Sequence, residues 1–283
     1  MSIKLSFQEF LLLQRFIKEI SGIEVPENKS YLIENRLTKL LIEYKINNFV
    51  DLYYKLREPK KNNELVNKVI DAITIKETHW FRDKSPWNVM EDVLMPVYTK
   101  ELTDRTRTQV RIWSAACSTG QEPYSIAMAV DNFITSYNHH QITLSDFDIL
   151  ATDLSHDALQ HAKTGRYDSV SIGRGLNDEF RSKYLKQENR TWVIDEKIKN
   201  AVTFQQLNLK SSFLLLGKFD IIFCRYVAIY FCQEFRKQLF QKLAQALTPN
   251  GVLFLGNSEL FPDYKDHFIQ EKYHSAAFYR NTL

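Results

Sequence analysis

Arg111-Ile112-Trp113-Ser114-Ala115-Ala116-Cys117-Ser118-Thr119-Gly120-Gln121-Glu122-Pro123-Tyr124-Ser125 reads as a buried strand, a tight turn and the opening of a helix. Ile112 and Trp113 among small residues suit a strand covered on both faces. Ser118-Thr119-Gly120 is turn chemistry, with Gly120 free to take a positive φ. Pro123 fits the first helical position, where its missing N–H is no loss, and Glu122 falls at or beside the N-cap. Small residues ahead of a helix N-terminus let a ligand come close to the backbone. Doubly wound α/β proteins hold nucleotide-like cofactors in this way, outside the carboxyl ends of their strands. An ordinary strand–helix turn would look the same in isolation, so the neighbouring segments decide.

Downstream, strands and helices alternate. A second strand at 147–152 ends on Asp153, Ser155 caps the helix after it, and Gly165 stops that helix. A strand at 219–224 leads to a helix at 233–247; Pro249-Asn250-Gly251 turns into a strand at 252–256, and 276–281 forms a last one. The pattern predicts an α/β fold with a doubly wound, largely parallel sheet over residues 111–283. Between Tyr167 and Leu207 the rhythm breaks. A polar helix at 177–185 precedes two short strand-like runs, 191–194 and 201–204, which predict a small β-hairpin insertion at about 172–205.

Upstream, residues 1–75 read as an all-helical N-terminal domain. Ser6 and Glu9 form a capping box, an apolar stripe from Phe7 to Ile20 follows, and Gly22 ends the helix. Further helices are expected at 29–44, 48–57 and 63–73, the last two separated by the polar turn 58–62. Residues 76–110 form a linker and a leading helix that opens at Ser85-Pro86 and runs towards Tyr98.

With 283 residues, 44% of them hydrophobic and 25% charged, the chain can bury a substantial core. Its net charge of +3 gives no argument for bulk attraction to nucleic acid or membrane. No apolar run approaches the ~20 residues of a membrane helix, and the N-terminus lacks signal-peptide features. Three scattered cysteines make neither a disulfide framework nor a metal knuckle, so no metal is expected. A cytoplasmic location follows as the expectation.

A nicotinamide enzyme would want Gly-x-Gly-x-x-Gly at the first turn. Here Glu122 would repel a pyrophosphate, whereas a carboxylate suits the ammonium or sulfonium of S-adenosylmethionine. Asp153 stands where an acid can accept both hydrogen bonds from a ribose diol; an Asp ending a strand is more often a helix cap, and Glu122 with the strand order turns the reading to the cofactor. An adenine would lie near Asn208-Leu209, where Asn208 can also be a plain turn residue. The slot Cys224-Arg225-Tyr226-Val227 lacks the Asn/Asp-Pro-Pro-aromatic motif of nucleic-acid amino-methylases, so no nucleic-acid partner is expected.

These residues carry a family resemblance. The 113–125 segment closely resembles the signature of CheR-type chemoreceptor glutamate methyltransferases, as do Ile149-Leu150-Ala151-Thr152-Asp153, the run 219–225 with Ile229-Tyr230-Phe231, and 253–259. Thr78-His79-Trp80-Phe81-Arg82-Asp83 is similar to that family's interdomain linker motif, and the resemblance covers essentially the whole chain. It implies a class I methyltransferase that transfers methyl from S-adenosylmethionine to glutamate side chains on the cytoplasmic helices of transmembrane chemoreceptors, leaving S-adenosylhomocysteine. It implies cofactor contacts at Lys76, Thr78, Arg82, Glu122, Asp153, Asn208, Leu209, Tyr226 and Val227, with Arg82 and Tyr230 nearest the methyl group. Tyr226 departs from the family's Asn, which keeps open a non-catalytic, cofactor-binding signalling scaffold. The Gly-free 186–190 segment departs from the Gly-rich loop of members that bind a receptor tail peptide, so tail dependence is not expected. Lys29, Arg36 and Lys39, on one helix, form a candidate docking face for acidic receptor helices.

Overall fold

The computed structural model describes residues 3–58, 63–259 and 266–283. Ser6 caps α1 (Phe7–Ser21) by accepting from the Glu9 amide, while the Glu9 carboxylate accepts from the Ser6 N–H, and Gly22 ends the helix at φ 77°. A 3-10 turn at Glu27–Lys29 leads to α2 (Ser30–Glu43); α3 (Phe49–Arg57), capped by Asn48, and α4 (Asn63–Ile73) follow. The expected polar turn lies, past Glu58, outside the described residues. Phe10, Leu13, Ile33, Leu37, Phe49, Leu52 and Val69 from the four helices share one core.

α5 (Ser85–Val89) passes through a π-helical turn (Met90–Leu94) into α6 (Met95–Thr103), where a single regular helix was expected. Pro96 explains the wider turn. It offers no N–H to the ladder and crowds the carbonyl one turn earlier, and a π turn relieves both.

Next come β1 (Val110–Ala115), α7 (Gln121–Ser136), β2 (Phe147–Asp153) and α8 (His156–Thr164). Then follow β3 (Arg166–Asp168), α9 (Ser169–Ile172), α10 (Asp178–Tyr184), β4 (Leu185–Glu188), β5 (Thr191–Ile194), α11 (Glu196–Asn200) and β6 (Val202–Gln206). The chain ends with β7 (Phe219–Phe223), α12 (Gln233–Ala246), β8 (Leu247–Phe254), β9 (Phe268–Tyr273) and β10 (Ala276–Asn281). Seven strands make one sheet, in the order β6-β2-β1-β7-β8-β10-β9. It is parallel as far as β8; β10 runs antiparallel to both β8 and β9. Ile112 pairs with Ile149 and Ile221 and faces one core, while Trp113 pairs with Leu150 and Ile222 and faces the other. This is a doubly wound α/β sheet with apolar residues on both faces.

The insertion pairs differently from expectation. β5 pairs antiparallel with β4 on one side and β3 on the other, making a separate three-stranded sheet. The 201–204 run belongs instead to β6, the parallel edge strand beside β2, where Val202 is buried next to Ile149. The 186–190 segment is no loop: it is β4 and its turn, with Asn189 at φ 56°, a conformation Asn tolerates.

Candidate functional site

The turn after β1, Asp153 at the end of β2, the loop 207–209 after β6 and the loop 225–227 after β7 converge at the carboxyl edge of the sheet, where the chain order reverses about β1. Together with α2, the segments 23–26 and 73–75, and the linker residues Glu77, Thr78 and Arg82, they line one cavity between the helical domain and the sheet. Every one of the three loops after β2, β6 and β7 also carries a bond to the helical domain. Ser155 donates to Asp71 (2.6 Å), Asn208 donates its amide to the Ile20 carbonyl (2.6 Å), and the Tyr230 carbonyl accepts from the Glu24 N–H (2.8 Å). Lys210 adds its ammonium to the Lys18 and Glu19 carbonyls at the C-terminus of α1, where a cation is favoured.

The first turn is tighter than its composition announced. Gly120 takes φ 97°, as expected, and it, not Glu122, is the N-cap of α7. A Cβ on Gly120 would stand 2.8 Å from the Ala162 Cβ. Ala116 and Ser118 are also left-handed, at φ 67° and 51°, which costs about 1–2 kcal/mol each for a non-glycine residue. Asp153 holds the strained turn: Oδ2 accepts from the Ser118 N–H and Oδ1 from the Ser155 N–H, both at 2.8 Å. Burial pushes the Asp153 carboxyl above its ordinary range, against the lowering effect of those N–H donors. The Ser118 hydroxyl is buried with no partner among the described residues.

Glu122 is not a bare carboxylate. Its Oε1 accepts from the Ser114 hydroxyl (2.8 Å) and its Oε2 from Arg225 (3.0 Å). Arg225 has a side chain only 1% exposed. It also donates to Asp83 (2.7 Å) and to the Arg82 carbonyl (2.6 Å). One guanidinium between two carboxylates leaves a net negative charge, which still favours a cationic ligand. Sequence reasoning assigned no role to Arg225 or Asp83. The available signal was an arginine two residues past the fully buried strand Phe219–Phe223, at the sheet edge where ligands bind.

Arg82 lies with its guanidinium carbon 3.5 Å from the centre of the Tyr226 ring, and the Tyr226 hydroxyl donates to Asp83 (2.5 Å). Phe81, Asp83 and Tyr226 all have positive φ (44°, 58° and 58°), so backbone strain clusters around Arg82. Tyr230 stands on the same wall. Burial raises its hydroxyl's pKa while Arg82 and Arg36 oppose, so it remains a protonated donor at neutral pH.

Of the residues expected at the cofactor, Thr78, Arg82, Glu122, Asp153, Asn208, Leu209, Tyr226 and Val227 line the cavity. Lys76 does not; its ammonium points to Asp157 at 4.0 Å. Asn208 lines the wall but has one amide N–H committed to Ile20. Of the expected docking residues, Lys29 and Arg36 line the cavity, and Arg36 donates to the Ile73 carbonyl (2.7 Å); Lys39 is exposed outside it. Among the described residues no cluster of His, Cys, Asp and Glu could hold a metal, and no helix is long and apolar enough to cross a membrane.

The sheet, the charged cavity at its switch point and the all-helical domain in front define a class I S-adenosylmethionine-dependent methyltransferase. The residues fit that cofactor: Asp153 offers acceptors for a diol, the net charge around Glu122 suits a cation, and the Ser118 hydroxyl lacks a partner. Residues 76–277 match the family model for the CheR methyltransferase SAM binding domain, and residues 8–74 match that for the CheR methyltransferase all-alpha domain. The chain is 39% identical over 265 residues to chemotaxis protein methyltransferase Cher2 of Pseudomonas putida, covering 93% of each. It is 37% identical to chemotaxis protein methyltransferase 1 of Pseudomonas aeruginosa, covering 96% of this chain and 97% of that one. With the chemotaxis protein methyltransferase of Vibrio parahaemolyticus it shares 36% identity over 99% and 98% of the two chains. The chain belongs to the CheR methyltransferase family, whose members methylate from S-adenosylmethionine in chemotaxis.

Proposed function

We propose that the protein esterifies glutamate side chains of chemoreceptors, with Arg82 and Tyr230 presenting the acceptor carboxylate. The observation that carries this reading is the polarity of the cavity. Glu122 and Asp153 stand on its sheet side, where Glu122 shares Arg225, while Arg82, Arg36 and Lys29 stand towards the helical domain, where the lining residues Glu24 and Glu77 are paired with Lys18 and Arg174. A cationic donor and an anionic acceptor are thereby drawn to opposite walls. When bound, S-adenosylmethionine supplies a methyl group activated by a sulfonium sulfur.

A glutamate is already ionised at neutral pH, so no general base is required. The chain's task is to orient and desolvate. Arg82 holds the carboxylate through its planar set of N–H donors, a geometry lysine lacks. Tyr230, kept protonated, donates to the same acceptor. Glu122, Asp153, Thr78 and the loops at 208–209 and 226–227 hold the donor, and Asp153 takes the ribose. Lys39, exposed on α2, and Lys29 and Arg36, at the cavity wall, favour acidic receptor helices. Independence of a tail peptide rests on the Gly-free stretch 186–190, which forms β4 and a tight turn.

Transfer of radiolabelled methyl to receptor-bearing membranes of the same organism, released by mild base, tests the reading. The Arg82→Ala variant should lose turnover by ~10²-fold or more and keep its melting temperature. Near-normal turnover in that variant removes the role. Binding of S-adenosylhomocysteine without any methyl transfer would identify a scaffold instead.

A further inference from the structure

Arg82 has little else to hold it. Its described side-chain contacts are a 3.3 Å hydrogen bond from Nη1 to the Glu77 carbonyl and the face of Tyr226, 3.5 Å away. The tyrosine, by contrast, is fixed from three directions. Its backbone N–H donates to Glu259 (2.5 Å), a buried carboxylate that also accepts from the Gly256 N–H (2.9 Å). Its hydroxyl donates to Asp83, and Asp83 is anchored in turn by the buried Arg225. Gly256 packs directly against the ring: a Cβ there would come within 2.9 Å of both Cδ1 and Cε1.

We propose that Tyr226 is a positioning residue for methyl transfer, its clamped ring serving as the shelf that holds the Arg82 guanidinium flat and aimed at the acceptor carboxylate. This rests on the role of Arg82 proposed above and adds how a flexible arginine keeps one orientation. A guanidinium lying on an aromatic face keeps its N–H groups in the ring plane's direction, free for a carboxylate, while the stack restricts its rotation. The chain of contacts runs from Glu122 through Arg225 and Asp83 to Tyr226 and Arg82. Donor wall and acceptor wall are thus held in one frame.

A double-mutant cycle read by radiolabelled methyl transfer tests the shelf. Tyr226→Leu and Tyr226→Gln, which remove the aromatic face, should lower kcat about tenfold or more, while Tyr226→Phe, which keeps the face and gives up only the bond to Asp83, should lose clearly less than either. In an Arg82→Ala background, Tyr226→Leu should add less than about twofold, because the residue it acts through is gone. Two substitutions at the site guard against one failing to fold, and thermal melting checks both. Equal losses with and without Arg82, or a Phe variant as impaired as Leu, overturn the shelf. A normal rate for Arg82→Ala alone instead defeats the underlying reading of Arg82, so the two failures are distinguishable.

Discussion

Replacing Arg225 by methionine tests the ionic centre of the site. The guanidinium is 1% exposed and holds Glu122 at 3.0 Å and Asp83 at 2.7 Å, whose side chains are 13% and 20% exposed. Methionine fills similar space, so lost packing is a minor part of the effect. Two carboxylates are left without their cation. Stranding a buried charge in this way costs about 3–5 kcal/mol. Glu122 keeps the Ser114 hydroxyl, Asp83 keeps the Tyr226 hydroxyl, and both can draw in water, so the lower end of that range is expected. At about 2–4 °C per kcal/mol for a domain of this size, melting should fall by about 6–12 °C near neutral pH. Scanning calorimetry with far-UV circular dichroism reads it. In an E122Q/D83N background the carboxylates are neutral, and the added loss should shrink below about 1 kcal/mol. A melting point within about 2 °C of the parent, or the same deficit in the neutral background, refutes the reasoning.

Three further outcomes follow from the geometry. Burial raises the Asp153 carboxyl, and the ionised form is the one that accepts from a diol. Affinity for S-adenosylhomocysteine should therefore fall as the pH drops through that raised value, beginning above the ordinary range near about pH 4, and Asp153→Asn should abolish this limb in isothermal titration. Affinity that stays level down to about pH 4 speaks against it. By the same sign, ionised Asp153 weakens the ligand-free fold, a penalty relieved as the pH falls. Gly120→Ala meets both φ 97° and a contact of 2.8 Å to the Ala162 Cβ. It should cost about 2–3 kcal/mol by denaturant titration, and a loss under about 1 kcal/mol would show that the turn relaxes. Lys39→Glu, on the exposed part of α2, should raise the KM for acceptor membranes about three- to tenfold, with the gap closing at high salt. An unchanged KM at low salt removes Lys39 from docking.

The sequence cues that succeeded were local ones. Ser6 with Glu9 and Ser155 cap helices through their own side chains, Gly22 and Gly165 stop them, and the largely apolar stretches at 110–115, 147–153 and 219–223 form mostly buried strands. Partner choice was not local. The runs at 191–194 and 201–204 look equally strand-like, and only the open edge of β2 takes Val202 away from the small sheet. Leu185–Glu188, three of whose four residues are polar, gives no strand signal of its own. The site divides the same way. The place of Glu122 and Asp153 at the sheet's carboxyl edge was readable from the strands before them, but the guanidinium that occupies Glu122 comes from 103 residues away. Nor does any pattern in the chain announce that Lys76 turns aside to Asp157, or that Tyr226 lies under Arg82.

The bonds from Ser155, Asn208 and the Tyr230 carbonyl to the helical domain give that domain a second office. Cutting the chain near residue 76 would not yield an enzyme merely missing a handle. It would take away one whole side of the chamber, bare the loops that line it, and leave Lys210 without the helix end it now caps. The two domains therefore build one chamber, and a damaging change in the first seventy residues will be felt in its wall.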